Sequence, residues 1–386
     1  MKILILTPHY PPIIGGAEVF AKTLADYLAG RGEEVHVITG KIHKTLIAEK
    51  DNGEVHLHRV SLIPMKDLVN HSQFYLVTGI PLMLLKSINL VREKDVDIIH
   101  TVGLVASVIG TILSKVTNKP HVSTIQGWGL SKYSNGNANF LARRLIRYAM
   151  SNSVVVHCIS NYIERSAREL GAKKTFVAPN GADLGRLSIL NRKGLKEKLG
   201  IGREKIILTA GRLIEIKGIG YLIKAFNKVL EEQKNIRLLI IGDGPEKERL
   251  ANLSDQLHLK DRVSFLGHMP QEQVFSYMCA SDIFVGPSLA EGLGNVFIEA
   301  MACGTPVIGT RVGGIPDIIE NEVNGLLVPP GDSNAIADAI LKILNDEEFR
   351  IRFSKKGLMV VKEIFDWDKI CEKIYKEYSC LINEKG

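Results

Sequence analysis

Glu291 and Glu299 bracket Gly-Leu-Gly-Asn-Val-Phe-Ile, and the segment runs on through Ala-Met-Ala-Cys-Gly-Thr-Pro to Val307. Gly292 and Gly294 carry no side chain, so a ligand can approach the backbone closely there. The residues that follow have helical spacing. The N–H groups of Leu293, Gly294, Asn295 and Val296 therefore lie at the positive end of a helix, which suits a diphosphate. Glu299, one turn further in, can accept hydrogen bonds from both hydroxyls of a ribose. Glu291, ahead of the helix, can reach the hydroxyls of a sugar attached to the diphosphate. Two carboxylates beside a diphosphate repel it unless cations balance them, and the cations lie upstream in Gly211-Arg212-Leu213-Ile214-Glu215-Ile216-Lys217-Gly218. Arg212 offers a bidentate fork and Lys217 a compact point charge. Together they can stabilise a leaving nucleoside diphosphate without a metal. A third loop, Ile14-Gly15-Gly16-Ala17-Glu18, is Gly-rich but has neither the G-x-G-x-x-G nor the P-loop spacing.

Each piece also has a plain structural reading: paired glycines as turns, Glu299 as a surface residue, Arg212 and Lys217 as a solvated edge. Their common place at strand ends favours a ligand site, and the elements explain why. Lys2–Thr7 reads as a short apolar strand buried on both faces. A helix follows over 17–29, ended by Gly30 and Gly32, and then a strand at Val35–Thr39, a βαβ opening of right-handed parallel type. Strand and helix patterns alternate from there to residue 178. A second series begins at Lys205, with strands at 205–210, 237–241, 263–266, 282–286 and 306–309. Two such series predict an α/β chain of two Rossmann-like doubly wound domains. The expected bounds are 1–185 and 186–365, with a hinge in 181–203 and a final helix, 366–386, packing back on the first domain. In open sheets of this kind ligands bind at the carboxyl ends of the strands, where 211–218 and 291–299 fall.

The chain has 386 residues, ample for two such domains, and a formal net charge of +7. That excess suits an anionic ligand or surface. Nucleic acid is disfavoured, because no run of five basic residues occurs and aromatics make up only 6%. The five cysteines are scattered without C-x-x-C, which points to a reducing compartment and away from a disulfide framework or zinc site. Met1–Leu6 is too short for a secretory signal, so a cytoplasmic protein is expected, with peripheral contact at the inner face of a membrane left open. The apolar stretch from Phe74 to Val91 is broken by Gly79, Pro81 and Lys86. It suits a core or cleft helix better than a membrane span, with a lipid-acceptor channel as the alternative. His56 and His58 share one strand face, with no evident third metal ligand. Arg143, Arg144 and Arg147 cluster on one helix, as a solvated face or as a contact for anionic lipid.

The sequence resembles the retaining glycosyltransferases of family 4, the group 1 glycosyl transferases, over nearly its whole length. The resemblance rests on Glu291-x7-Glu299 running into Glu-Ala-Met-Ala-Cys-Gly-Thr-Pro-Val-Ile, and on Gly-Arg-Leu-x-x-x-Lys-Gly at 211–218. Pro179-Asn180-Gly181-Ala182-Asp183, Gly242-Asp243-Gly244-Pro245, Gly313-Gly314, Asn324–Val328 and the opening Pro-Pro-x-x-Gly-Gly-Ala-Glu add to it. It implies the GT-B architecture, two domains facing a central cleft with the nucleotide on the second. Arg212 and Lys217 would hold the diphosphate, Glu299 the ribose and Glu291 the donor sugar, and backbone near Gly267 and His268 would read the base. Gly15 and Gly16 would approach the phosphate from the other domain. The implied reaction is retaining and front-face: the leaving phosphate oxygen takes the acceptor proton, and no protein nucleophile, metal or cofactor is required.

One position departs from the family pattern. Many members carry His in a Thr-x-His turn after the strand at 121–124, whereas this chain has Thr124-Ile125-Gln126. Gln126 can orient a sugar or a carbonyl but cannot take a proton. The expected donor is a nucleotide-sugar, with UDP or GDP as the base-bearing group, and the acceptor a glycolipid, a polysaccharide or a small molecule. A nucleotide-sugar epimerase on the same architecture and a non-catalytic nucleotide-binding protein are the alternatives.

Overall fold

The computed structural model describes residues 1–13, 15–41, 49–51, 55–61, 72–127, 129–135, 139–185 and 194–384. They form two α/β units, one of Met1–Asn180 with Trp367–Gly386 and one of Gly181–Asp366. The chain thus changes unit at 180/181 and again at 366/367, where the sequence suggested 185/186 and 365/366. Residues 186–193 of the expected hinge lie outside the described residues.

The first unit holds an eight-stranded sheet in the order β3-β4-β2-β1-β5-β6-β7-β8. Its strands are β1 (Lys2–Leu6), β2 (Glu34–Lys41), β3 (Glu49–Asp51), β4 (Val55–Ser61), β5 (Ile98–Val102), β6 (His121–Ile125), β7 (Val155–Cys158) and β8 (Thr175–Val177). All neighbours pair in parallel except β3 with β4. The central strands β5 and β6 are buried at every residue, as a sheet covered on both faces requires. On one face Phe20, Leu24 and Leu28 of the helix Gly16–Ala29 pack with Ile370, Ile374 and Tyr378 of the last helix, Trp367–Asn383. The opposite core takes Met83, Leu90 and Val91 from Ser72–Lys94, and Ala106, Ile109 and Leu113 from Leu104–Thr117.

The interior of this sheet carries histidine and threonine side chains that pair with one another. His100 Nδ1 meets the Tyr378 hydroxyl, while His100 Nε2 lies 2.6 Å from Thr124 Oγ1. Thr124 Oγ1 lies 2.8 Å from His157 Nδ1, whose other ring nitrogen is 2.7 Å from the Ala178 carbonyl. His121 Nε2 lies 2.8 Å from Thr101 Oγ1. Burial holds all three imidazoles below their ordinary pKa, His157 at about 4 and His121 at about 3, so they stay neutral.

The second unit holds a fully parallel six-stranded sheet, order β11-β10-β9-β12-β13-β14. Its strands are β9 (Lys205–Ala210), β10 (Ile236–Ile241), β11 (Val263–Gly267), β12 (Ile283–Gly286), β13 (Val307–Thr310) and β14 (Leu326–Val328). The helices Ile219–Glu232 and Ser333–Asn345 bury Leu222, Phe226, Ile336 and Ile340 against it. The chain winds outward from β9 to β11, then returns to lay β12 on the other flank of β9. The loops after β9 and β12 therefore leave neighbouring strands in opposite directions, which opens a crevice at the carboxyl edge.

The paired histidines of β4 gain a third neighbour. The parallel register of β2 and β4 sets His36 opposite His56, and the His36 ring stacks on both His56 and His58, with centroids at 4.8 and 5.5 Å. One His36 nitrogen is 3.3 Å from His58 Nε2 and the other 2.9 Å from Glu34, and no cluster among the described residues could hold a metal ion. No described helix is long and apolar enough to cross a membrane. The stretch 74–91 lies inside the helix Ser72–Lys94.

Candidate active site

The crevice between β9 and β12 is lined by Gly211, Lys217, Ser288 and Val296, among others. The loop after β9 is held to its neighbours through backbone bonds. Gly211 N–H donates to the Ile241 carbonyl at 3.0 Å, Leu213 N–H to the Asp243 carbonyl at 2.9 Å and Leu289 N–H to the Ile216 carbonyl at 2.7 Å. Glu215–Lys217 form a single 3-10 turn ended by Gly218 at φ +64°. A Cβ at Gly218 would stand 2.1 Å from the Pro287 carbonyl oxygen, so only glycine lets the two loops meet. Lys217 is thereby aimed at the β12 loop, where its ammonium pairs with the Glu291 carboxylate. Arg212 is exposed.

Glu291 is fixed from its other side as well. Gly292 N–H donates to Glu291 Oε1 at 3.1 Å, and Gly314 N–H to the Glu291 carbonyl at 3.4 Å. Gly313, at φ +55°, passes so close that a Cβ there would lie 1.7 Å from that carbonyl oxygen. The helix Asn295–Ala302 follows, with Gly294 at φ +100° as its N-cap and no side chain capping it. Phe297 clamps this helix on the sheet. Its ring meets Phe284 edge-on at 5.7 Å and fills the space over Gly286. One turn on, Glu299 Oε1 accepts a hydrogen bond from Gln271 Nε2 at 3.1 Å. Desolvation pushes the Glu299 carboxyl up to about pH 7, with Gln271 pulling the other way. Gly267, at φ +72°, ends β11 and gives its carbonyl to Gly242 N–H at 2.8 Å, and His268 beside it is exposed.

The sites of donor chemistry predicted on the second half of the chain thus fall on the carboxyl edge of one sheet: Arg212, Lys217, Gly267, His268, Glu291, Gly292, Leu293, Gly294, Asn295, Val296 and Glu299. Gly15, Gly16 and Gln126 belong to the first unit. Gly15 is the extended N-cap of the helix that starts at Gly16, and the Glu18 carboxylate folds back over it. Gln126, just past β6, forms a reciprocal amide pair with Asn180, at 3.1 and 3.0 Å. Spacing alone did not single out Gln271, the role of Gly313 or the Asn180 partnership. Each depends on a contact across 22 to 54 residues of sequence that only the strand order creates.

Two family models match the chain in succession, Glycosyltransferase Family 4 over residues 14–186 and Glycosyl transferases group 1 over 191–358. N-acetyl-alpha-D-glucosaminyl L-malate synthase of Bacillus anthracis is 31% identical, with 100% of this chain and 99% of that protein covered. This chain belongs to the group 1 glycosyltransferases of family 4. Its fold is GT-B: sucrose-phosphate synthase from Thermosynechococcus elongatus superposes with a TM-score of 0.85 at 25% identity, covering 100% of both chains. Anabaena HepE, solved in complex with UDP, matches with a TM-score of 0.82 at 24% identity over 98% of this glycosyltransferase and 100% of that chain.

Proposed function

We propose that this glycosyltransferase moves a sugar from a UDP- or GDP-linked donor to a hydroxyl of a glycolipid, polysaccharide or small-molecule acceptor, with retention of anomeric configuration. The observation that carries the proposal is the Lys217–Glu291 pair at the β9/β12 switch point, beside a helix N-terminus with no side-chain cap. A diphosphate arriving there competes with Glu291 for Lys217, and Arg212 adds a second cation. Charge that builds on the phosphate as the glycosidic bond breaks is then met by fixed charges already in place. Displaced from Lys217, Glu291 is free to accept from sugar hydroxyls, and Glu299 takes the ribose. In the front-face reaction the departing phosphate oxygen accepts the acceptor's proton while the new C–O bond forms on the same side. Gln126 orients donor sugar or acceptor without exchanging a proton, and Gly15 and Gly16 admit the phosphate from the first unit. The proposed reaction requires neither metal nor cofactor, because Lys217 and Arg212 supply the countercharge to the diphosphate. The scattered free cysteines fit a cytoplasmic protein.

Thermal stabilisation by a panel of UDP-, GDP- and ADP-sugars without added metal identifies the donor. A ligand at 100 times its Kd adds about 2.7 kcal/mol. Proton NMR of the product formed with the donor so identified should show the donor's anomeric configuration. An inverted product overturns the retaining reading, and conversion of donor to an isomer with no acceptor present supports an epimerase instead.

A further inference from the structure

From Ile98 to Ile163 the chain contains no Asp or Glu, although carboxylates number 42 in its 386 residues. The same stretch carries Lys115, Lys119, Lys132, Arg143, Arg144 and Arg147. Half of those cations lie on one helix of the first unit, Phe140–Asn152. That helix buries Ile146, Ala149 and Met150 and leaves its outer face to solvent. The outer face is apolar to an unusual degree: Phe140 is 78% exposed, Leu141 65%, Leu145 38% and Tyr148 37%. At 100° per residue, Leu141, Leu145 and Tyr148 lie together on one side of the outward direction, while Arg143 and Arg147 lie on the other and Arg144 points between them. None of the three arginines makes an ion pair with a carboxylate of the described residues, and Lys115 on the adjoining helix lies 4.7 Å from the Tyr148 ring.

We infer that this helix docks the protein on an anionic lipid bilayer, lying in the interface with Phe140, Leu141 and Leu145 among the acyl chains and the arginines among the headgroup phosphates. Scattered surface arginines alone would not distinguish lipid from any polyanion. The apolar side chains do, because a phosphate backbone offers them nothing, whereas an interface takes both halves of such a helix at once. Long arginine side chains keep their charge at headgroup level while their stems cover apolar surface. The topology gives the docking a consequence. The helix runs back from the carboxyl end of β6 to the amino end of β7, so its Phe140 end lies toward the carboxyl edge of the sheet, where Gln126 stands. A bilayer held against Phe140 and Leu141 would meet that edge, the side on which an acceptor anchored in lipid would be presented. The inference does not depend on which sugar is transferred, and vesicle binding is measured without turnover.

Flotation of the purified full chain with phosphatidylglycerol/phosphatidylcholine vesicles, against phosphatidylcholine alone, tests it. We expect binding to the anionic vesicles at 0.15 M salt, weakened at 1 M as the Debye length falls to about 3 Å. Replacing Arg143, Arg144 and Arg147 together by Gln should weaken it about 100-fold, roughly fivefold per cation. Phe140→Ser with Leu141→Ser should weaken it about tenfold or more with the charge intact. Nucleotide-sugar binding by the same variants, unchanged, shows that they fold. Absence of binding to anionic vesicles overturns the inference. So does binding that both variants retain, and so does a preference for a single-stranded oligonucleotide over vesicles that ignores Phe140 and Leu141.

Discussion

Glu299 shows how a single half-buried carboxyl ties nucleotide binding to pH. Its folded pKa of about 7 lies above the ordinary value because burial disfavours the charged form. Ribose hydroxyls that donate to it favour the carboxylate, so binding draws the group toward ionisation and releases a proton wherever it was protonated. Affinity for a nucleotide-sugar should therefore rise between about pH 6 and 8 and level off above. Glu299→Gln should bind more weakly at pH 8 and lose that slope, as isothermal titration across the range would show. A slope that persists in Glu299→Gln assigns the titration to another group. At Lys217 the stakes are charge on the leaving group. Lys217→Ala removes about 1.5–3 kcal/mol of charge-assisted bonding, or roughly 10- to 150-fold in kcat/KM. Thermal stability should fall as well, because the Glu291 carboxylate, its side chain 13% exposed, loses its cation. Unaltered kinetics in this variant would remove Lys217 from the phosphate site.

Elements place these side chains through glycines that allow backbones to touch. Gly313 does so against the Glu291 carbonyl and has a left-handed φ of +55°. Gly313→Ala combines strain with a clash and should push the 287–294 loop away from Lys217. The expected result is at least a tenfold weaker donor Kd, together with about 1–3 kcal/mol of lost stability; intact affinity would show that the loop tolerates the shift. The last helix makes a comparable contribution in the first unit. Its Tyr378 hydroxyl is fully buried against His100 Nδ1. Tyr378→Phe leaves that nitrogen without its partner at a cost of about 1–3 kcal/mol, measurable as a lower urea midpoint with an unchanged m-value.

At the level of the whole molecule, the two units should respond differently to acid. His100, His121 and His157 are neutral in the folded first unit, with pKa values depressed below the 6.5 of an exposed imidazole. A depressed histidine favours the folded state fully above pH 6.5. That stability falls away below it, by about 1.4 kcal/mol per histidine for each pH unit, down to the folded value. Calorimetry from pH 7.5 to 4.5 should show the first unit's transition moving down ahead of the second's, and His157→Gln should reduce that movement. Transitions that shift together in wild type and variant alike would count against the buried neutral histidines as the cause.

The alternation of apolar strands with amphipathic helices established a two-part α/β chain, and the glycine, arginine, lysine and glutamate spacings marked the donor loops. Both are local properties: a strand buried on both faces must be apolar along its length, and a tight turn over a helix N-terminus needs glycine. The elements at 49–61, 326–328 and 333–364 left weaker traces, since a three-residue strand such as β14 carries no readable period. Strand order was beyond local reach. That β12 returns to the flank of β9, and so brings Lys217 to Glu291, depends on which strand buries most surface where. The same holds for His36 beside His56, Gln126 against Asn180 and Tyr378 against His100. These pairings lie between distant segments, and only the packing of the complete sheet selects them.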